Sequence, residues 1–262
     1  MPFLYSSEGT IHWQQSGANE GPALVLSHAL GLDLTLWDRI VPLLPQSLRI
    51  VRYDLRGHGA SACPPPPYRM GTLVSDAERL LDTLGIRDCV FLGLSVGGLI
   101  AQGLAVKRLD QVRAIILSNT AAKIGTASTW DSRIQTVRRG GIDSIADATM
   151  ERWFSRSARS SPEARSMRDF LCQTREEGYI GVCAAIAGTD FYETTATLTL
   201  PTLAIAGSED GSTPPDLVRE TADLVKGSRF ALIRGAGHLP PIDRPAEFTA
   251  ILADFLRSIG HV

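Results

Sequence analysis

The feature that most constrains this chain is the pentapeptide Gly93-Leu94-Ser95-Val96-Gly97 together with its flanks. The run Cys89–Gly93 (CVFLG) reads as a buried strand, and GGLIAQGLA after the serine reads as a helix. A serine between the two sits on a sharp strand-to-helix turn, in a strained backbone conformation, with its hydroxyl exposed at a sheet edge. Small residues on both sides allow helix and strand to approach closely. The helix N-terminus beside Ser95 favours developing negative charge. The plain alternative is a glycine-rich turn with an idle serine.

The rest of the chain agrees with a sheet of this kind. Ala23–Ser27 (ALVLS), Arg49–Tyr53 (RIVRY) and Arg113–Ser118 (RAIILS) are further short, near-continuous apolar runs. Apolarity without strict alternation predicts parallel strands covered on both faces. Leu73, Ala77, Leu80, Leu81 and Leu84 recur at helical spacing, with Gly85 where a helix C-terminus wants it. Strand–helix alternation predicts a doubly wound α/β fold with a mostly parallel sheet. The alternation stops near Ala121. Residues 123–192 contain no buried-strand run but hold Arg-rich amphipathic stretches with Trp130, Trp153, Phe154 and Phe170. They are expected to form a helical cap inserted into a core made of residues 1–122 and 193–262. After the insertion come a strand at Thr202–Ala206, a helix near Pro215–Val225, a strand at Arg229–Ile233 and a closing helix at Pro245–Ser258. Pro245 suits a helix start, where its missing N–H would be unpaired anyway. No internal repeat is evident, and the PPPP run at Pro64–Pro67 reads as a stiff surface loop.

Composition removes whole classes of function. With 26 Lys+Arg against 28 Asp+Glu, the net charge of −2 offers no basic field for a nucleic-acid backbone. No apolar run reaches the roughly 20 residues of a membrane helix. The start MPFLYSSEGTIHW lacks the basic and apolar blocks of a signal peptide. Cys63, Cys89, Cys172 and Cys183 show no metal-ligand spacing and suit reduced thiols in the cytoplasm. No metal or cofactor is expected.

A nucleophilic serine needs a base, and five histidines are available: His12, His28, His58, His238 and His261. His238, in Gly235-Ala236-Gly237-His238, follows the strand RFALI and so lies at the same sheet edge as Ser95. The acid should follow an earlier strand at that edge. Thr202–Ala206 is followed by Gly207-Ser208-Glu209-Asp210. Asp210 is the expected acid and Glu209 its rival; adjacent loop side chains point apart, so one can serve. An oxyanion would be held by the N–H of Val96 and by one from Ser27-His28-Ala29-Leu30-Gly31, with Leu30 the candidate. Asp54, Arg56 and Gly57 in DLRGHG are expected to be structural, and His58 is not a candidate base.

Taken in order, SHALG, DLRGHGAS, GLSVGG, AGSED and GAGHLPP resemble the α/β-hydrolase family over nearly the whole chain. Within it, the insertion resembles the 3-oxoadipate enol-lactone hydrolases of bacterial aromatic catabolism, through TWDSRIQTVRRGG, Glu151-Arg152-Trp153-Phe154 and Glu177-Gly178-Tyr179 followed by CAAIAGTDF. The chain departs from the pattern at Ala29, where the superfamily often has Gly, at His28, where close relatives can have other polar residues, and at Pro240-Pro241, where more polar residues are expected. The resemblance implies a serine hydrolase opening a lactone through Ser95, Asp210 and His238. Other small esters, or C–C bonds of ring-fission products, are the alternative substrates. A non-catalytic binding protein is the alternative of another class, against which an intact Ser, Asp and His in order argues. Such a lactone carries a carboxylate, which needs a cation in the pocket. Arg133 lies three residues after Trp130, on one helix face. Arg133 is expected to bind the carboxylate and Trp130 to cover the ring. Arg138 and Arg139 compete for the role, and a solvated helix face is the plain reading of all three.

Overall fold

The structure is a computed structural model describing residues 2–6 and 9–262. Met1, the first residue of the segment assigned to the core, and Ser7 and Glu8 of the N-terminal stretch lie outside the described residues. In chain order the elements are β1 (Phe3–Ser6), β2 (Gly9–Gly17), β3 (Ala23–Ser27), β4 (Arg49–Tyr53), α1 (Met70–Thr83), β5 (Cys89–Leu94), α2 (Val96–Lys107) and β6 (Val112–Ser118). Four helices follow without a strand: α3 (Ala127–Gly140), α4 (Asp143–Trp153), α5 (Pro162–Cys172) and α6 (Glu176–Ala187). The chain ends with α7 (Tyr192–Ala196), β7 (Thr202–Gly207), α8 (Pro215–Asp223), β8 (Arg229–Ile233), α9 (Pro240–Asp243) and α10 (Pro245–Ser258).

The strands form one sheet in the order β1-β2-β4-β3-β5-β6-β7-β8. From β4 to β8 every neighbour is parallel, while β2 runs antiparallel to both β1 and β4. This is the expected mostly parallel α/β sheet, enlarged by an N-terminal hairpin. β3, β5 and β7 are buried at every position, as strands covered on both faces must be. Burying a side chain such as Leu24 or Phe91, both fully inaccessible, contributes about 1.5–3 kcal/mol each. α1 presents Leu73, Ala77, Leu80 and Leu81 to the core, and Gly85 follows its C-cap at φ +65°.

Because β3 to β8 are parallel, their C-terminal ends share one edge, where open α/β sheets bind ligands. Ser27, Tyr53, Leu94, Ser118, Gly207 and Ile233 are the last residues of those strands. The four consecutive helices α3–α6 pack over this edge. The end of α4 and the residues that follow it are held there by three hydrogen bonds: His238 N–H to Trp153 O (2.7 Å), Gly211 N–H to Arg152 O (3.0 Å) and Arg156 N–H to the Glu209 carboxylate (3.0 Å). A side chain at Gly237 would place Cβ 2.1 Å from Trp153 O, so the approach depends on glycine there. At the other end of the segment, Thr174 Oγ1 donates to Gly31 O (3.0 Å) and Arg175 Nη2 donates to Ser61 O (2.6 Å).

Candidate active site

Ser95 sits between β5 and α2 with φ 58° and ψ −117°, a conformation that costs an L-residue energy and persists only when its surroundings enforce it. Packing supplies the enforcement. An added Cβ at Gly93 would lie 2.0 Å from Gly97 O, and one at Gly97 would lie 2.2 Å from Ser27 O. Ser95 N–H donates to Ser118 O (3.0 Å), and Thr120 Oγ1 donates to Ser95 O (2.6 Å). Strand, turn and helix are thus locked together, with the hydroxyl carried to the C-terminal edge.

His238 Nδ1 donates to Asp210 Oδ2 at 2.8 Å, and both residues are buried. That contact leaves Nε2 as the imidazole nitrogen available for proton transfer. Asp210 receives four further bonds: Asn119 Nδ2 (2.8 Å) and Thr213 Oγ1 (2.9 Å) reach Oδ2, and Ser212 N–H (2.7 Å) and Thr213 N–H (3.1 Å) reach Oδ1. Burial pushes this carboxyl up, but the His238 charge and the donors from His238, Asn119 and Ser212 outweigh it and hold it below the ordinary range. Glu209, its rival, is turned away to accept the Arg156 N–H.

Asn119 had no place in the sequence reading. It follows β6 at φ 48°, and its amide also donates to Gly237 O (3.2 Å), tying Asp210 to the loop of His238. Asn tolerates positive φ better than most residues, which is the one local hint the sequence carries. Asn119→Ala should lower kcat by about tenfold or more with KM nearly unchanged, as expected for losing a hydrogen bond worth about 1.5–3 kcal/mol to a charged group. Steady-state kinetics on a folded variant would check this, and an unchanged kcat would remove Asn119 from the machinery.

The other four histidines have partners elsewhere. His12 Nδ1 contacts Asp54 Oδ2 (2.7 Å), and His261 Nε2 contacts Ala23 O (3.0 Å). His28 and His58 instead support the loop that carries Leu30. His28 Nδ1–H donates to Ala29 O (2.8 Å) and its Nε2 accepts from Leu55 N–H (2.9 Å). His58 Nε2 accepts from Gly31 N–H (3.0 Å). Burial lowers the pKa of both, that of His58 to about 3, so each is held as neutral imidazole with one fixed tautomer. Asp54 accepts from Leu34 and Ala60 N–H, and Arg56 forms a two-bond ion pair with Asp76 (2.6 Å each). Leu30 lines the cavity described next, and Val96, as the first residue of α2, has an N–H without a helical partner.

Ser95 and His238 open into a cavity of about 480 Å³ beneath α3 and α4, lined also by Leu30, Trp130, Arg133 and Arg152. Trp130 Nε1 donates to Ile124 O (2.5 Å). Arg133 lies 5.8 Å from the ring centroids of both Trp130 and Tyr179, and its Nε donates to the Tyr179 hydroxyl (2.8 Å). Trp130 and Arg133 therefore do share one face of α3. Arg138 and Arg139 are exposed, outside the cavity. A larger groove of about 840 Å³ beside α1 and α2 contains none of Ser95, Asp210 and His238. Among the described residues no His, Cys, Asp or Glu cluster suits a metal, all four cysteines are free, and no helix is long and apolar enough to cross a membrane.

Residues 22–245 match the α/β hydrolase fold family. A 3-oxoadipate enol-lactonase of Acinetobacter baylyi is 33% identical over 247 residues, covering 94% of this chain and 92% of its own. A pimeloyl-[acyl-carrier protein] methyl ester esterase of Vibrio vulnificus is 26% identical over 94% of this chain and 97% of its own. The enol-lactonase structure from Burkholderia xenovorans superposes with a TM-score of 0.94 at 35% identity, covering 98% of this chain and all of that one. Sheet order, strand ends and sequence agree, and the chain belongs to the α/β-hydrolase fold family.

Proposed function

We propose that this hydrolase opens the lactone ring of 3-oxoadipate enol-lactone, giving 3-oxoadipate in aromatic catabolism. The observation that carries the reading is a single cavity joining Ser95 and His238 to the guanidinium of Arg133, which has no carboxylate partner among the described residues. A reactive end and an anion-binding end together suit a lactone that carries a carboxylate. The enol-lactonases among the relatives support the same substrate. In this reading residues 1–122 and 193–262 are the core and 123–192 the cap. The four free thiols favour a cytoplasmic setting.

His238 accepts the Ser95 proton as Oγ attacks the lactone carbonyl, and Asp210 stabilises the imidazolium. The Leu30 and Val96 N–H groups hold the resulting oxyanion. Collapse breaks the ring C–O bond, and the ring oxygen leaves as an enolate that takes the proton from His238. The acyl group remains on Ser95 as an ester. His238 then removes a proton from water as it attacks that ester, and passes it to Ser95 Oγ as the acyl C–O bond breaks, which restores Ser95 and releases a second carboxylic acid that ionises. The enol tautomerises to the ketone, so one water is consumed. Trp130 covers the ring and excludes solvent, while Arg133 holds the carboxylate.

Product analysis after incubation with the enol-lactone tests the reading directly: 3-oxoadipate must form at a rate abolished by loss of Ser95. Arg133→Ala should lower kcat/KM for the acidic lactone by about 10- to 100-fold, mainly through KM, the cost of one charge-assisted hydrogen-bonded contact. The loss on a neutral ester must be much smaller. Equal losses on both would make Arg133 a support for α3 and α6. Hydrolysis of neutral methyl esters in preference to the lactone would favour the esterase reading, which the pimeloyl ester esterase relative brings.

A further inference from the structure

Arg133 does not stand alone at its end of the cavity. Arg152, on α4, lines the same space, and both guanidinium groups converge on one hydroxyl. Arg133 Nη2 donates to Thr149 Oγ1 (2.6 Å), and Arg152 Nη2 donates to the same oxygen (3.2 Å). The hydroxyl proton of Thr149 is committed to Ile145 O (2.8 Å), so both lone pairs of Oγ1 are taken by arginines. The other acceptor, the Tyr179 phenol, is fully buried, and burial raises its pKa, so it stays neutral. Among the described residues, no Asp or Glu lies within ion-pair distance of either guanidinium.

This departs from the treatment of the enclosed Arg56 and Arg108, although half-buried Arg49 also relies on neutral acceptors, Gln15 Oε1 and Leu84 O. Arg56 is paired with Asp76, and Arg108 with Glu78, Asp82 and Asp110. Two partly buried cations sharing one neutral oxygen repel each other and lose hydration. Burial, reinforced by the charge of Arg133, lowers the pKa of Arg152 accordingly. Such an arrangement is stabilised by an anion with two oxygens, one for each guanidinium.

We infer that Arg152 and Arg133 form a two-guanidinium receptor for a single carboxylate, and that Arg152 thereby commits the cavity to esters and lactones bearing a free carboxylate. The inference rests on the hydrolase reading of the cavity and adds a specificity residue to it. The product retains the same carboxylate, as do unreactive linear dicarboxylates, and these bind there as competitive inhibitors.

The test uses adipate, with its diamide as the neutral counterpart, titrated calorimetrically into the full chain. Adipate should bind and the diamide should not. Arg152→Gln should weaken adipate at least tenfold, Arg133→Gln similarly, and the double variant by less than the product of the two losses, because one carboxylate serves both. Arg152→Lys, which keeps the charge and stem, should recover part of the affinity; a recovery confirms a charge contact even if the Gln variant folds poorly. In kinetics, the kcat/KM ratio of mono-4-nitrophenyl glutarate to 4-nitrophenyl butyrate should fall at least tenfold in Arg152→Gln, through KM. Wild-type adipate affinity in folded Arg152→Gln, or an unchanged ratio, overturns the inference. If adipate binding depends on Arg152 but the enol-lactone is inert, the lactonase reading fails and the receptor stands. If the lactone is hydrolysed independently of Arg152, the receptor fails and the lactonase reading stands.

Discussion

Ser95→Ala should lower kcat by about four orders of magnitude or more, since removing the proposed nucleophile leaves only substrate binding and the proposed oxyanion donors. The fold should survive. The turn is held by backbone bonds from Ser95 N–H to Ser118 O and from Thr120 Oγ1 to Ser95 O, neither of which uses the lost hydroxyl. Alanine meets the same φ of 58° that serine already tolerates. The measurement is kcat on the enol-lactone alongside a thermal melt. A folded variant retaining half its turnover would end the covalent mechanism.

Asp210→Asn should cut kcat by about 10³- to 10⁴-fold, whereas Glu209→Gln should change it by less than about threefold. Asp210 accepts five hydrogen bonds and donates none, a pattern only a carboxylate satisfies. An amide there sets an NH₂ against donors and favours the wrong imidazole tautomer. Glu209 accepts one backbone N–H, from Arg156, which the oxygen of glutamine can accept equally well. Kinetics of the two isosteric variants separate neighbouring residues. The opposite outcome would assign the acid to Glu209.

The parts of the fold that were readable share one cause. Strands such as β3, β5 and β7 are buried on both faces and so appear as continuous apolar runs. The β1–β2 hairpin has no such signature. It lies at the sheet edge, Gly9–Gly17 is mostly half-buried, and polar residues such as Gln14 and Gln15 interrupt it. Ser95, Asp210 and His238 could be located because each follows a readable strand, and strand ends fix position. Trp130 and Arg133 were legible as neighbours on α3 through their three-residue spacing. Arg152 stands in the Glu151-Arg152-Trp153-Phe154 motif of the resemblance, but its role there was not legible, and nothing singled out Asn119. Whether an arginine is paired depends on the folded surroundings: Arg152 shares the Thr149 hydroxyl of its own helix with Arg133, which reaches it from α3. Asn119 acts through Asp210, 91 residues away. The roles of His28 and His58 likewise depend on Leu55 and Gly31, which meet them only in the folded chain.

The three hydrogen bonds that fasten residues 152–156 to the Glu209–Gly211 and His238 loops have a consequence for exchanging parts between relatives. The helices α3–α6 look like a cassette that recombination or an engineer could replace to change the substrate. Yet the carbonyls of Arg152 and Trp153 are the acceptors for the N–H groups of Gly211 and His238. A transplanted cassette with a different path at the end of α4 would move Asp210 and His238 along with the pocket wall. The exchangeable unit is therefore larger than the helical segment: it must carry residues 207–211 and 235–238 with it, including the glycine at 237 that lets Trp153 come so close. Side-chain changes on α3 and α4 alter the pocket while leaving that backbone junction in place.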